Sequence, residues 1–419
     1  MTRINKIYVL LFFNLTVFLY GQLTHAEFEK DSNHSFRNRE TYRFDELPDD
    51  GSYTISIADV YGNITLRGHN GSGAQLIILK TIHGLSEKKA KRVINDSKIS
   101  VFHLEDEYLI RVRSEKKMQY DRTIENNLEF NLPRNVNINL EILGGDIDLA
   151  DLQGESILNT LGGDVVITSF AGRIESKTSG GNMTVTETEG FIRIHSSGGN
   201  ISISDSQGQF NSSTEGGSIR FSDLNGSIDA QTSGGSIELE HITGDEISCR
   251  TSGGNIQAEV ISAKVTLKTS GGGINLNNIE GNIDLSTSGG NIDAVLCKGS
   301  LKCNTSAGNI SLKEVIGSVD AFTSAGNISL DLTYDSSIKD YSFNMETDAG
   351  DLVVHIPKGL PVGIESTIYG TGSTKELNSE IPLKITSKGS MVKGTGTVRG
   401  GTIPLLLTAH YGSITIKQN

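Results

Sequence analysis

Nine histidines, three cysteines and fifty carboxylates are the residues of this 419-residue chain that could hold a metal or move a proton. The histidines are scattered, with no H-E-x-x-H or other ligand spacing, and each reads as an ordinary surface or turn residue. Gly394-Thr395-Gly396-Thr397-Val398-Arg399-Gly400 misses the dinucleotide fingerprint by one position, lacks a βαβ setting and reads as a turn. Cleavage of acidic glycans would need long coils with loop insertions, a placed acid and base, and aromatics for sugar stacking. The chain has no Trp and no Tyr between Tyr120 and Tyr334, so that chemistry is poorly supplied. No catalytic, cofactor-binding or metal residue is expected, no cofactor is implied, and the ligand-binding residues are unknown.

What positions these residues is an internal repeat. From Gly145 a glycine recurs every nine residues to Gly244, slips by one, and resumes from Gly254 to Gly326 with Ala263 standing in once. The third position of each nonad is almost always apolar and the fifth apolar or small, as in Leu149, Ile167, Val185 and Phe221. The fourth is polar, as in Asp148, Glu175, Arg193, Asp229, Glu238, Asp284 and Lys302. That alternation is a short strand with one buried face. Nonads alternate between two kinds, one with a late apolar residue (Leu152, Phe170, Leu224, Ile242, Ile261, Ile279) and one ending in Thr-Ser-Gly-Gly. The true period is therefore eighteen residues, read as two strands and two turns of a parallel β-solenoid coil. The double glycine marks a corner needing a positive φ or close backbone approach, and the following Asn (Asn182, Asn200, Asn255, Asn291, Asn309, Asn327) tolerates such turns. One coil buries too little to fold alone, so stability must be collective and both ends need covers.

The repeat places the remaining polar residues. Thr160, Thr178, Thr214, Thr232, Thr269, Thr287, Thr305 and Thr323 form a column beside the corner, read as an inner hydrogen-bonded ladder and not an ice-binding face. Cys249 and Cys303 share a column three coils apart, about 14 Å, too far for a disulfide. Cys297 and Cys303 lie around one corner of a single coil and could approach, although small buried thiols are the expected reading. Residues 144–330 carry 22 acids and 10 bases, and no single carboxylate pair stands out. They read as a solvated face that keeps edges apart, or as a diffuse site for cations or a basic partner. Calcium of the β-roll kind is not expected, because the acids fall mid-strand while the turns carry Ser, Thr and Asn.

Composition and ends complete the picture. With 48 glycines and a formal charge of −13, the chain suits neither an ordinary enzyme core nor nucleic acid or anionic lipid as main partner. Arg3 and Lys6, the apolar run from Ile7 to Tyr20, and Thr24-His25-Ala26 form a secretory signal sequence over residues 1–26, with cleavage before Glu27. No later segment is apolar enough to span a membrane. Residues 27–143 read as a β-rich N-terminal cap, with strands at Tyr53 to Ile57, Gly62 to Leu66, Leu76 to Leu79, Ile99 to Phe102 and Tyr108 to Val112. Its one helix starts after Ser86 and runs from Glu87 to Asn95. Residues 144–330 form the solenoid, and residues 331–419 a β-rich C-terminal continuation or cap.

The segment V-Y-G-N-I-T-L-R-G (Val60 to Gly68), the single helix, the strand ending Leu132-Pro133 and the serial S-G-G-N-I coils together resemble a bacterial family labelled as adhesins, whose β-solenoid is also called the toastrack. The resemblance spans roughly residues 50–419 and implies that fold, with no catalytic motif to carry over. It also implies an exported, non-enzymatic interaction surface for a protein or glycan on the cell surface or in the envelope. Some members are linked to envelope-stress regulation, so a periplasmic scaffold is the alternative.

Overall fold

The computed structural model describes residues 19–20, 22–32, 35–116, 121–338, 341–370 and 372–419. The signal-sequence reading falls mostly outside them. Gln22–Ser32, which contains the expected cleavage point, forms a strand antiparallel to Ser35–Phe44.

The coil beginning at Ile219 shows how sequence becomes architecture. Ile219 and Phe221 point inward, and Asp223 bends the chain with φ 55°. Leu224 re-enters the core, Gly226 bends the chain again with φ 151°, and Ile228, Ala230 and Thr232 fill the returning leg. Ser233-Gly234-Gly235-Ser236 closes the circuit. The strand Ile219–Thr232 thus runs through two bends and makes three sides, two long and one short, where two strands and two turns were expected.

Coils stack in parallel register. One inward column runs from Leu128 and Ile64 through Ile147, Val165, Met183, Ile201, Ile219, Ile237, Ile256, Ile274, Ile292, Ile310 and Ile328 to Leu352 and Ile414. At about 4.8 Å per layer this is a rod of roughly 65–70 Å. The one-residue phase slip before Gly254 appears as β-bulges between Asn225/Ile228 and Thr243/Glu246, with Ala263 opposite the second of them.

The corner chemistry differs from expectation in one respect. The positive φ belongs to the single-glycine bend, as at Gly226. At the Thr-Ser-Gly-Gly corners from Gly180 onward, close approach decides. A Cβ on Gly235 would lie 2.0 Å from the Gly217 carbonyl oxygen, whereas one on Gly234 meets nothing closer than 3.4 Å. The Asn column is likewise not a set of left-handed residues. It is a ladder in which each side-chain oxygen accepts the backbone N–H one coil up: Asn182 from Asn200 at 2.9 Å, Asn200 from Ser218 at 2.8 Å, Asn309 from Asn327 at 2.8 Å.

The threonine column is the inner ladder that the spacing suggested. Thr232 Oγ1 donates to the Gly217 carbonyl at 2.8 Å and accepts from the Gly235 N–H at 3.2 Å, and it is buried. Thr178, Thr214, Thr269 and Thr287 repeat both contacts. Thr232→Val keeps the shape and orphans both backbone groups. It should lower unfolding stability by about 1–3 kcal/mol, read from the shift in denaturant midpoint.

Both ends continue the stack out of chain order. Thr54–Ala58 lies between Asn137–Ile142 and Leu109–Ser114, and Asn63–His69 lies between the strand Ile147–Thr160 and Ile124–Pro133. Ala74–His83, Ser35–Phe44 and Gln22–Ser32 then add antiparallel strands, which end the parallel series. The helix Glu87–Asp96 packs its buried Ala90 with Phe36 and Ile82, although Ser86 makes no side-chain cap. At the other end the layer above Phe343–Ala349 is Ile403–Tyr411, and the intervening chain supplies the outer layers Val362–Tyr369, Met391–Thr397 and Lys384–Lys388. Gly394 to Thr397, read as part of a turn, is strand, and the turn is confined to the residues after Thr397.

Candidate interaction surface

The short side of each coil is set by a residue absent from the sequence reading. Asp151, Ser169, Glu187, Asp205, Asp223, His241, Val260, Asn278, Leu296 and Glu314 all stand at φ 51–60°, one per coil. Asp and Asn tolerate this left-handed region, while a β-branched residue there is strained. Val260→Asn should therefore raise stability by about 1 kcal/mol in thermal or urea unfolding. This column also corrects the placement of the acids, because several occupy a bend and not only mid-strand positions.

Between two of these bends the core gives way. The inward residue after the bend is Leu152, Phe170, Leu224, Ile242, Ile261 or Ile279, but Thr188 and Ser206 in the two intervening coils. The smaller residues leave a groove lined by Glu187, Glu189, Asp205, Asp223, Gln207 and Asn225, continuous with a second depression from Arg134 to Glu189. Seven successive layers, from that of Arg134 to that of Thr243, border it, giving a length of about 29 Å. The floor is polar and internally bonded: Ser206 Oγ accepts from Thr188 N at 2.9 Å and Thr188 Oγ1 at 3.0 Å, and donates to Ser204 O at 2.6 Å. On the rim Ser169 Oγ donates to Glu187 at 2.7 Å, Asp223 pairs with His241 at 3.3 Å, and Arg134 with Asp151 at 3.6 Å. Ser206→Ala would leave the Thr188 N–H without its acceptor. It should lower stability by about 1–3 kcal/mol, whereas Glu187→Gln on the rim should stay within ~0.5 kcal/mol.

The groove was visible in the sequence only as a gap: the late apolar residues skip from Phe170 to Leu224. The neighbouring long side carries mixed charge, with Arg193 near Glu175 at 3.8 Å and the Phe191 ring beneath Arg173 at 4.4 Å and Arg193 at 5.2 Å. Arg220 bridges Glu238 at 3.0 Å and Glu240 at 2.9 Å across adjacent coils. Such exposed pairs contribute little stability each, but they fix the pattern of charge that a partner meets.

The cysteines offer no reactive centre. Cys249 and Cys303 lie in one column through Leu267 and Leu285, and Cys249, Cys297 and Cys303 are all free and buried. Burial pushes the Cys297 thiol up to about 11 and Cys303 well above its usual range, so the reactive thiolate is disfavoured.

With this geometry in view, residues 172–354 match the family model Toastrack DUF4097. The match spans less than half of the 419-residue chain. The matched stretch contains the asparagine ladder, the threonine ladder from Thr178 onward and most of the acidic groove. A putative cell adhesion protein from Clostridium sporogenes, of known crystal structure, aligns over 91% of this chain and 100% of its own. The identity is 10% and the TM-score 0.16, and a likeness that loose carries no argument. No curated protein matches the chain. Among the described residues no helix is long and apolar enough to cross a membrane.

Proposed function

We propose that this chain is an exported, non-enzymatic toastrack solenoid that presents an extended interaction surface of the bacterial envelope, working as an adhesin toward a protein or glycan. The observation that carries this reading is the groove. It is long, shallow and continuous over successive coils, with Thr188 and Ser206 in place of larger core residues along part of its floor, and its lining comes from the coils themselves and not from inserted loops. Its rim carries Glu187, Glu189, Asp205 and Asp223, which favour a partner presenting Lys or Arg over an anionic glycan. The basic n-region and apolar run at the N-terminus support export.

Protease shaving of intact cells, with an antibody to the mature chain and a periplasmic leakage control, tests location. Loss of signal with the control intact is expected. Protection until the envelope is opened would move the chain to the alternative role, a periplasmic scaffold or sensor in envelope-stress regulation. Degradation of an acidic polysaccharide by the purified chain would overturn the non-enzymatic reading. For the groove, binding of a fluorescent deca-lysine peptide should weaken more in Glu187→Lys/Asp205→Lys than in Glu259→Lys/Asp284→Lys, which makes the same charge change elsewhere. Equal weakening in both pairs would reduce the groove to part of a diffuse acidic field.

A further inference from the structure

The C-terminal layers bring together three side chains that the sequence keeps far apart. Glu346 and Asp348 lie two residues apart on the strand Phe343–Ala349 and so face the same side. His410 comes from Ile403–Tyr411, which reaches this strand only because the intervening chain forms the layers beyond it. The register pairs Thr347 with Ala409 and Ala349 with Tyr411, setting His410 beside Asp348. One ligand atom from each of the three residues lies within 4.8 Å of the other two, and among the described residues no other group of three or more His, Cys, Asp or Glu side chains does this.

Three further features point to a cation. His410 Nε2 stands 3.4 Å from Glu346 Oε1, and its ring stacks on Tyr369 at 5.1 Å and 29°, which fixes the plane of the imidazole. In the solenoid, several carboxylates meet a base at the matching position of the next coil, as Glu246 meets Lys264 at 2.9 Å and Glu280 meets Lys298 at 3.1 Å. Glu346 instead has Phe322 and Thr408 as its in-register neighbours, so two carboxylates share one imidazole without a Lys or Arg at those positions. Both ligand-bearing strands are interior to the sheet, with paired neighbours on each side, so the donors sit on rigid backbone.

We propose that Glu346, Asp348 and His410 form a binding site for a first-row divalent cation, with Zn²⁺ the best match. Two oxygens and one imidazole nitrogen are a borderline donor set, too few oxygens for the six to eight that Ca²⁺ takes, and they suit a four-coordinate ion that keeps an open position. Metal–ligand distances of about 2.0–2.2 Å imply ligand atoms about 3.3 Å apart in a tetrahedron. The three atoms need only close by side-chain rotation, which their partial exposure permits.

The test is isothermal calorimetry of ZnCl₂ into the full mature chain with any affinity tag removed. One equivalent is expected to bind, with affinity falling at least tenfold in both His410→Ala and Glu346→Gln and unchanged in His241→Ala, whose histidine pairs with Asp223 elsewhere. Absence of binding to the unaltered chain, or affinities within threefold in both ligand variants, would overturn the site. Co²⁺ titration of the unaltered chain avoids dependence on variants that fold poorly. A visible d–d band displaced by one equivalent of Zn²⁺ is expected, and failure to develop the band would count against the site.

Discussion

Gly208→Ala is expected to cost about 4 kcal/mol or more and to leave little folded protein, while Gly180→Ala should stay within ~0.5 kcal/mol. Both lie in the same kind of coil, so the contrast isolates geometry from glycine content. At Gly208 the backbone has φ 136°, and an added Cβ would fall 1.9 Å from the Gly190 carbonyl oxygen and 3.0 Å from the Gly190 nitrogen. No side-chain adjustment relieves a collision with backbone, so two coils must part and lose their ladder bonds. At Gly180 nothing lies within 4 Å of the added carbon. Thermal melts followed by circular dichroism read the difference. Equal shifts would show that the single-glycine bend is not a close contact and that glycine acts there only through chain entropy.

The contrast also explains what the sequence could say. A nine-residue glycine rhythm with apolar residues at fixed offsets is a local signal repeated many times, so coil length, buried faces and the threonine ladder are legible. The bend residues are not, because Asp223, His241, Val260 and Leu296 share a backbone conformation without sharing a chemistry. The groove is legible only in retrospect, since Thr188 and Ser206 look unremarkable until the column Leu152, Phe170, Leu224 is laid out around them. The ends are the hardest part. Ile403–Tyr411 joins a strand more than fifty residues earlier, and Thr54–Ala58 sits between two later strands, arrangements that no periodicity encodes. The Glu346, Asp348 and His410 group is invisible in sequence for that same reason.

The N-terminal cap holds a second testable effect, at Lys80. This lysine is 1% exposed, stands in register with Asn38 and Asn126, and donates from Nζ to the Ser97 carbonyl at 2.7 Å, just past the helix C-terminus. Burial, partly offset by Glu40 and Glu115, holds its ammonium below the usual lysine range. Because the folded value lies below the unfolded one, the folded chain binds fewer protons between the two. The cost of burying the charge is therefore present at neutral pH, and is lost as pH rises through the folded value toward the ordinary lysine value of 10.5. Lys80→Met keeps the volume, removes the charge and gives up the bond to Ser97. Lifting the desolvation cost of the ammonium favours the variant, while losing the bond to the Ser97 carbonyl, worth about 1–3 kcal/mol, opposes it, so a net gain of no more than about 1 kcal/mol at pH 7 is expected. The distinguishing feature is its pH dependence. Urea unfolding at pH 7 and pH 10 should show the advantage of the variant shrinking or reversing at the higher pH, as the wild-type lysine sheds its proton. An advantage that stays constant between the two would mean that Lys80 is not charged at a cost in the folded cap, and that the helix end is held by packing around Ala90 and Ile82.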